Sequence, residues 1–162
     1  MPELSVTVHD LPAPQGSKRH VGGGRLVESS KYVKPWREAV KHAALSAIAA
    51  HNAGHLVPYS TIDGPVELDI VFTLPRPRSH YRSGRNAHLL REGAPAWPDR
   101  KPDLDKLARS TFDALGAAGV FTDDARVVVL NTSKVYPGGY GALEHPGAAI
   151  TARALVPALV TA

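Results

Sequence analysis

PVELDIVFTL, residues 65–74, alternates without a break: Val66, Leu68, Ile70, Phe72 and Leu74 fall on one face, Glu67, Asp69 and Thr73 on the other. A period of two predicts a β-strand, and an apolar pattern on one side only predicts a sheet covered on one face. The elements that can cover it flank it in the chain. Upstream, Trp36, Ala39, Val40, Ala43, Ala44, Ala47 and Ile48 recur at helical spacing. They predict a helix over about Lys34–Ala53, with Pro35 in its first turn and Gly54 at its end. Downstream, Leu104, Leu107, Ala108, Thr111, Leu115 and Ala118 form the apolar stripe of a second helix, opened by Pro102 and Asp103 and closed by Gly116 or Gly119. Further strands are expected at LSVTVH (4–9), near Arg25–Glu28, at RVVVLNTSKV (126–135) and at AAITARALV (148–156). The order ββαβαββ describes an α+β chain of one domain spanning 1–162, a mixed β-sheet with two main helices packed on it.

Composition narrows the chemistry. A chain of 162 residues with 43% apolar content can bury one real core. Cysteine is absent, which removes disulfides, thiolate metal sites and a cysteine nucleophile together. No apolar run approaches the roughly 20 residues that span a bilayer. The first residues, MPELSVTVHDLPAP, lack the basic-then-apolar plan of a signal peptide. A cytoplasmic protein with no membrane partner is expected.

The net charge of +4 is unevenly placed. Between Arg76 and Lys101 seven basic residues (Arg76, Arg78, Arg82, Arg85, Arg91, Arg100 and Lys101) face only Glu92 and Asp99. This segment lies in a loop, 75–102, that carries five prolines (75, 77, 95, 98 and 102) along with Ser, Gly and Arg. Loops longer than about 15 residues are usually functional or disordered. A mobile basic flap that orders on a polyanion is expected here. Trp97 and Tyr81 within it are candidates either to stack on unpaired bases or to anchor the loop.

Against this positive background stand two acidic pairs. KPDLDK (101–106) places Asp103 and Asp105 at the start of the second helix, and Asp123-Asp124 precedes a strand. Taken singly, each has a structural use, Asp103 as a cap with Asp105 beside the helix dipole, Asp123-Asp124 as turn residues. Taken together, they can form one cluster. The helix carries the chain roughly 18 Å from Asp103. Residues 116–124, if extended, span up to roughly 30 Å and can bring Asp124 back beside the helix start. Two carboxylates about 4 Å apart repel by about 4 kcal/mol at an effective dielectric near 20. A hard divalent ion, Mg²⁺ or alternatively Mn²⁺, relieves that repulsion and suits oxygen-only ligands. Such an ion polarises a phosphodiester and activates water. Lys106 lies three residues after Asp103 and Arg109 four after Asp105. Each is either a surface ion-pair partner or a cation facing the scissile phosphate.

KPDLD, a helix ending in FDALGAAG, then DD and a valine-rich strand with Lys134 resemble the RusA family of Holliday junction resolvases, common in phages and prophages. GSKRH, the KPWREAV helix and VELDIVFTLPRPRSH fit its phage branch, so the likeness runs from about Gln15 to Arg153. The resemblance implies a homodimeric, Mg²⁺-dependent endonuclease that nicks four-way DNA junctions at symmetric positions, in the host cytoplasm if phage-encoded. It assigns the metal to Asp103, Asp105 and Asp124, with Asp123 adjacent. Lys106 and Arg109 stand where the family commonly has asparagine and lysine, and arginine is not a lysine substitute at a tight site. The expected DNA-binding cations are Lys18, Arg19, Arg76, Arg78, Arg82, Arg85, Lys101 and Lys134. Dimerisation has a physical motive: paired cuts need two sites, and a two-fold dimer presents two to a substrate of matching symmetry.

Other motifs carry less. VGGGR (21–25) lacks the G-K-[ST] ending of a phosphate-binding loop, so no nucleotide cofactor is expected. His51 and His55 are four apart, but Gly54 between them marks the end of their helix. The contrasting function for the same residues is a non-catalytic, basic DNA-binding protein whose aspartates only cap and turn.

Overall fold

Residues 66–73 form an inner strand because both of their edges can be paired and only one of their faces needs covering. The computed structural model describes residues 3–16, 18–20, 26–28 and 31–156, the short segments 18–20 and 26–28 by their backbone alone. In chain order it contains β1 (Glu3–Val8), β2 (Lys18–His20), β3 (Leu26–Glu28), α1 (Val33–Gly54), β4 (Val66–Thr73), α2 (Leu104–Ala117), β5 (Val127–Val135) and β6 (Gly147–Ala154). Short 3₁₀ turns occur at Arg78–His80, Gly84–Asn86 and Asp124–Arg126.

The main sheet has the order β1-β6-β4-β5. β6 pairs antiparallel with both β1 and β4, while β4 and β5 run parallel, joined by a crossover that contains α2. The architecture is therefore α+β, one mixed sheet with two helices, as the alternation and the two apolar stripes predict. Val66, Leu68, Ile70 and Phe72 are buried against Trp36, Val40 and Ala44 of α1 and Leu107 and Leu115 of α2. Trp36 ties the two helices polar-to-polar as well, its indole donating to Thr111 Oγ1 at 3.2 Å. The opposite face is polar: Arg153 bonds Glu3 at 3.1 Å and also Asp69, and Asn131 donates to Asp69 at 2.8 Å. Arg153, then Asn131, hold the Asp69 carboxyl below the usual carboxylate range.

Two differences from the expected order have local causes. Lys18–His20 forms a strand where only turns are expected, pairing antiparallel with Leu26–Glu28 in a separate two-stranded ribbon. A three-residue ladder rests on backbone hydrogen bonds, which leave no alternation in a stretch such as KRH. Lys18 and Arg19 lie in it with side chains outside the described residues, and VGGGR lies outside them altogether. The basic loop, expected as a mobile flap, is internally bonded. Arg82 N donates to Leu89 O at 2.9 Å and Arg91 N to His80 O at 3.0 Å, with a β-bridge between Tyr81 and Leu90. The backbone of Tyr81 thus helps to anchor the loop.

Candidate active site

Pro102, preceded by a cis peptide bond, ends the basic loop, and Asp103 opens α2 with extended backbone angles. Its carbonyl accepts the first helical bond from Leu107 N at 3.1 Å, but its carboxylate makes no cap bond to the helix. The side chain occupies a capping position without doing what capping aspartates do. It points instead at Lys106 Nζ, 3.3 Å away, and both groups are about half exposed. Asp105 stands exposed in the first turn, where the unpaired N–H groups favour negative charge. Arg109 is exposed one turn further and makes no ion pair among the described residues.

The segment before Asp103 is clamped from the sheet. Lys134, near the end of β5, donates to Arg100 O at 2.6 Å and Pro102 O at 2.9 Å. Lys134 was expected on DNA; here its ammonium supports the approach to Asp103. Arg76 is similarly occupied. It donates to Pro95 O at 2.7 Å and lies over the Tyr136 ring, 4.1 Å from its centroid. Arg78, Arg82, Arg85 and Lys101 are exposed and make no ion pairs among the described residues.

The second acidic pair is at the other end of α2. Asp123 caps the Asp124–Arg126 turn, its carboxylate accepting from Ala125 N at 2.8 Å. That bond, followed by a hydrogen bond with Asp124, holds the Asp123 carboxyl below the usual range. Asp123 therefore does structural work in its turn, and Asp124 beside it is exposed.

The expected return of residues 116–124 to the helix start does not occur. The chain turns at once: Val120 N donates to Leu115 O at 3.1 Å, and Gly119 supplies a positive φ of 79°. Val120 and Phe121 are buried in the core. The Val120 carbonyl is gripped by Ile62 N at 3.1 Å and by the Tyr59 hydroxyl at 2.8 Å. Burial pushes the Tyr59 phenol up to about 12, so it remains a donor throughout the working range. Hydrophobic burial and three hydrogen bonds hold the linker at the C-terminal end of α2, opposite Asp103. β5 then starts beside Val66 and ends beside Pro102. Among the described residues of one chain, no three acidic or histidine side chains form a group able to hold a metal. The structure brings together Asp103, Asp105 and Lys106 at one end of α2, and Asp123 with Asp124 at the other.

Residues 10–144 match the family described as Endodeoxyribonuclease RusA. The chain belongs to the RusA family. It is also 29% identical over 133 residues to a Bacillus subtilis (strain 168) protein described as "Uncharacterized protein YqaN", an alignment covering 82% of this chain and 87% of that protein. Membership of the RusA family carries endodeoxyribonuclease activity, and the family match covers both acidic pairs, both helices and the basic loop. Among the described residues no helix is long and apolar enough to cross a membrane.

Proposed function

We propose that this RusA-family chain is a divalent-metal-dependent nuclease that resolves four-way DNA junctions, and that its active sites are completed between two copies of the chain. The observation that carries the reading is Asp103: a carboxylate at a helix start that is not spent on capping, with Asp105 one residue beyond, behind a segment clamped by Lys134. Hard oxygen donors of this kind suit Mg²⁺, which is commonly bound by one or two carboxylates together with substrate phosphate. Asp103 and Asp105 fit that demand in part, and Asp124 supplies a third carboxylate from a second copy. When bound, the ion supplies Lewis acidity toward the scissile phosphate and lowers the pKa of attacking water. The chain's own groups orient and neutralise. Lys106 balances Asp103 across 3.3 Å, and the Arg109 guanidinium, which makes no ion pair among the described residues, would face the phosphate as its charge develops.

The route to two-chain sites is the β5 edge. β5 is the last strand of the sheet, and Val128, Val129 and Leu130 on it are 61%, 37% and 41% exposed. A long apolar edge strand is a template for another strand. Two copies of β5 pairing antiparallel about a two-fold axis form an isologous contact. Antiparallel pairing lays the start of one β5, three residues after Asp124, against the end of the other, where Lys134 holds Arg100 and Pro102 just before Asp103. Both ends of the paired strands then carry the full acidic set.

Substitution tests the assignment. Asp103→Asn, Asp105→Asn and Asp124→Asn should each abolish Mg²⁺-dependent nicking of a synthetic four-way junction and leave junction binding in place. Wild-type cutting by all three variants would leave the aspartates as caps and turn residues of a DNA-binding protein.

A further inference from the structure

Beyond the carboxylates, the loop and the turn after β5 together build a second feature. The turn Pro137–Gly141 reads PGGYG. Gly138 and Gly141 have φ of 86° and 71°, in the region that disfavours any side chain. A Cβ at Gly139 would stand 3.1 Å from the Tyr136 carbonyl and 3.2 Å from Val135 Cβ. The turn is closed by Gly139 N donating to Tyr136 O at 3.0 Å and Ala142 N to Gly139 O at 3.1 Å. Backbone conformation thus favours glycine at 138 and 141, Gly139 between them is tightly packed, and the single side chain of the turn's tip, Tyr140, is 94% exposed.

Trp97 of the basic loop is likewise exposed, at 62%. Trp97 and Tyr140 line the same open groove of ≈ 530 Å³, whose floor is Pro95, Val135 and Tyr136. One exposed aromatic ring needs no explanation, but two on one groove with Leu90 beside them make a patch. The groove also adjoins the acidic end of α2. Pro95 and Tyr136 line a neighbouring cavity of ≈ 620 Å³ that ends on Lys101 and Pro102, the residues before Asp103.

We propose that Trp97 and Tyr140 form a stacking clamp for an unpaired nucleobase at the branch of the DNA substrate, and so help the protein tell branched from continuous duplex. The inference rests on the DNA-acting reading above and adds to it the residues that recognise the branch. Nucleic acid is the occupant because of charge: the loop bearing Trp97 has seven Lys/Arg against two acids between Arg76 and Lys101. None of its cations is ion-paired among the described residues, so the rim attracts a polyanion. An intact duplex keeps its bases stacked on one another, whereas a branch point offers exposed faces to aromatic rings.

Trp36, the other tryptophan, is fully buried in the core, so a change in indole emission on adding DNA reports on Trp97. Emission is measured on adding oligo(dT), a four-way junction, and a duplex of equal length, all without divalent metal. Junction and duplex affinities are measured in parallel by anisotropy for wild type, Trp97→Ala and Tyr140→Ala. Quenching by oligo(dT) and junction but not by duplex is expected. Each alanine variant should lose roughly tenfold or more in junction affinity, the range of one base–aromatic stack, with duplex affinity and thermal midpoint unchanged. Three results would overturn the clamp: no quenching by oligo(dT) or junction, equal loss on junction and duplex, or a Tyr140→Ala change in the sedimentation of the DNA-free protein, which would mean that a second copy covers the groove. Junction cutting by wild type is scored separately with Mg²⁺. Cutting without quenching sinks the clamp and spares the nuclease; quenching without cutting does the reverse.

Discussion

The placement of the two acidic pairs leads to a subunit-mixing experiment. α2 has 14 residues and is about 21 Å long, with Asp103 at one end and the Asp124 turn at the other. Oxygens on one Mg²⁺ at about 2.1 Å from the ion lie roughly 3 Å apart, so the two ends of one helix cannot serve the same ion. Suppose each site takes Asp103 and Asp105 from one copy and Asp124 from the other. A dimer of Asp103→Asn with Asp124→Asn then gathers both defects in one site and leaves the second intact. Each homodimer of a single variant has two broken sites. Random exchange of an equal mixture makes half the dimers mixed, each with one working site, so nicking should recover to about a quarter of the wild-type site number. The product should be nicked junction rather than resolved arms, because a mixed dimer cuts one strand only. Asp103→Asn mixed with Asp105→Asn is the control; both sites of that dimer stay broken and nothing should recover. The assay is a denaturing gel of end-labelled junction after subunit exchange verified by differently tagged chains. No recovery in the first mixture despite verified exchange would refute two-chain sites, and recovery in the control would refute the partition of residues.

The other expectations follow from named contacts. Replacing Val128 and Leu130 together by lysine places like charges on the β5 edge; sedimentation should show a monomer, and junction nicking should be lost while duplex binding persists. Lys134→Met removes two charge-assisted hydrogen bonds, to Arg100 O and Pro102 O, at a cost of about 1.5–3 kcal/mol each at most. It should lower the thermal midpoint modestly and the single-turnover cutting rate more than tenfold, because the segment it releases leads into Asp103. Stability against pH tests the polar face of the sheet. Arg153 and Asn131 lower the folded pKa of Asp69, so across the window from its ordinary 3.8 downward the unfolded chain binds more protons than the folded one. That contribution is present above pH 4 and is lost as pH falls through the folded value. Arg153→Met should therefore lower denaturation midpoints at neutral pH and flatten the acid slope, with wild type and variant converging at the lowest pH.

Much of the fold is legible because burial writes a period into the chain. Val66 to Phe72 alternate because one face of β4 meets the helices and the other meets Asn131 and Arg153. The stripes on α1 and α2 repeat at helical spacing because each helix has one wet side. β2 leaves no such trace, being held by ladder bonds alone. The acidic residues are legible as residue types, but their relative placement is not. Chain length permits Asp124 to return to Asp103, and only the burial of Val120 and Phe121, with Tyr59 and Ile62 gripping the same carbonyl, forbids it. Those contacts span some sixty residues of sequence, and no local pattern announces them. Tyr140 leaves no such pattern either: PGGYG has the composition of an ordinary turn, and the ring gains meaning because it lines the same groove as Trp97, distant in the chain.

If the site is completed between two copies as proposed, the division also sets what a single copy can do. One copy offers Asp103 and Asp105 to an ion at an exposed helix start, where two carboxylates and water hold Mg²⁺ weakly. On the proposed arrangement the third carboxylate would arrive only with a second copy, and metal affinity and assembly would be linked equilibria, each favouring the other by the same factor. For an enzyme that must cut two strands this linkage has a direct advantage. A lone chain on duplex DNA would lack a full ligand set and make no stray nick, and the dimer that completed one site would complete the other in the same step. The β5 edge would then be the element on which activity turns, more than any single cation around the phosphate. The direct measurement is Mn²⁺ binding followed by electron paramagnetic resonance across a protein dilution series. Binding that tightens with protein concentration, in step with the dimer fraction and not in the Val128→Lys/Leu130→Lys variant, is expected; affinity independent of protein concentration would separate metal binding from assembly and remove the argument.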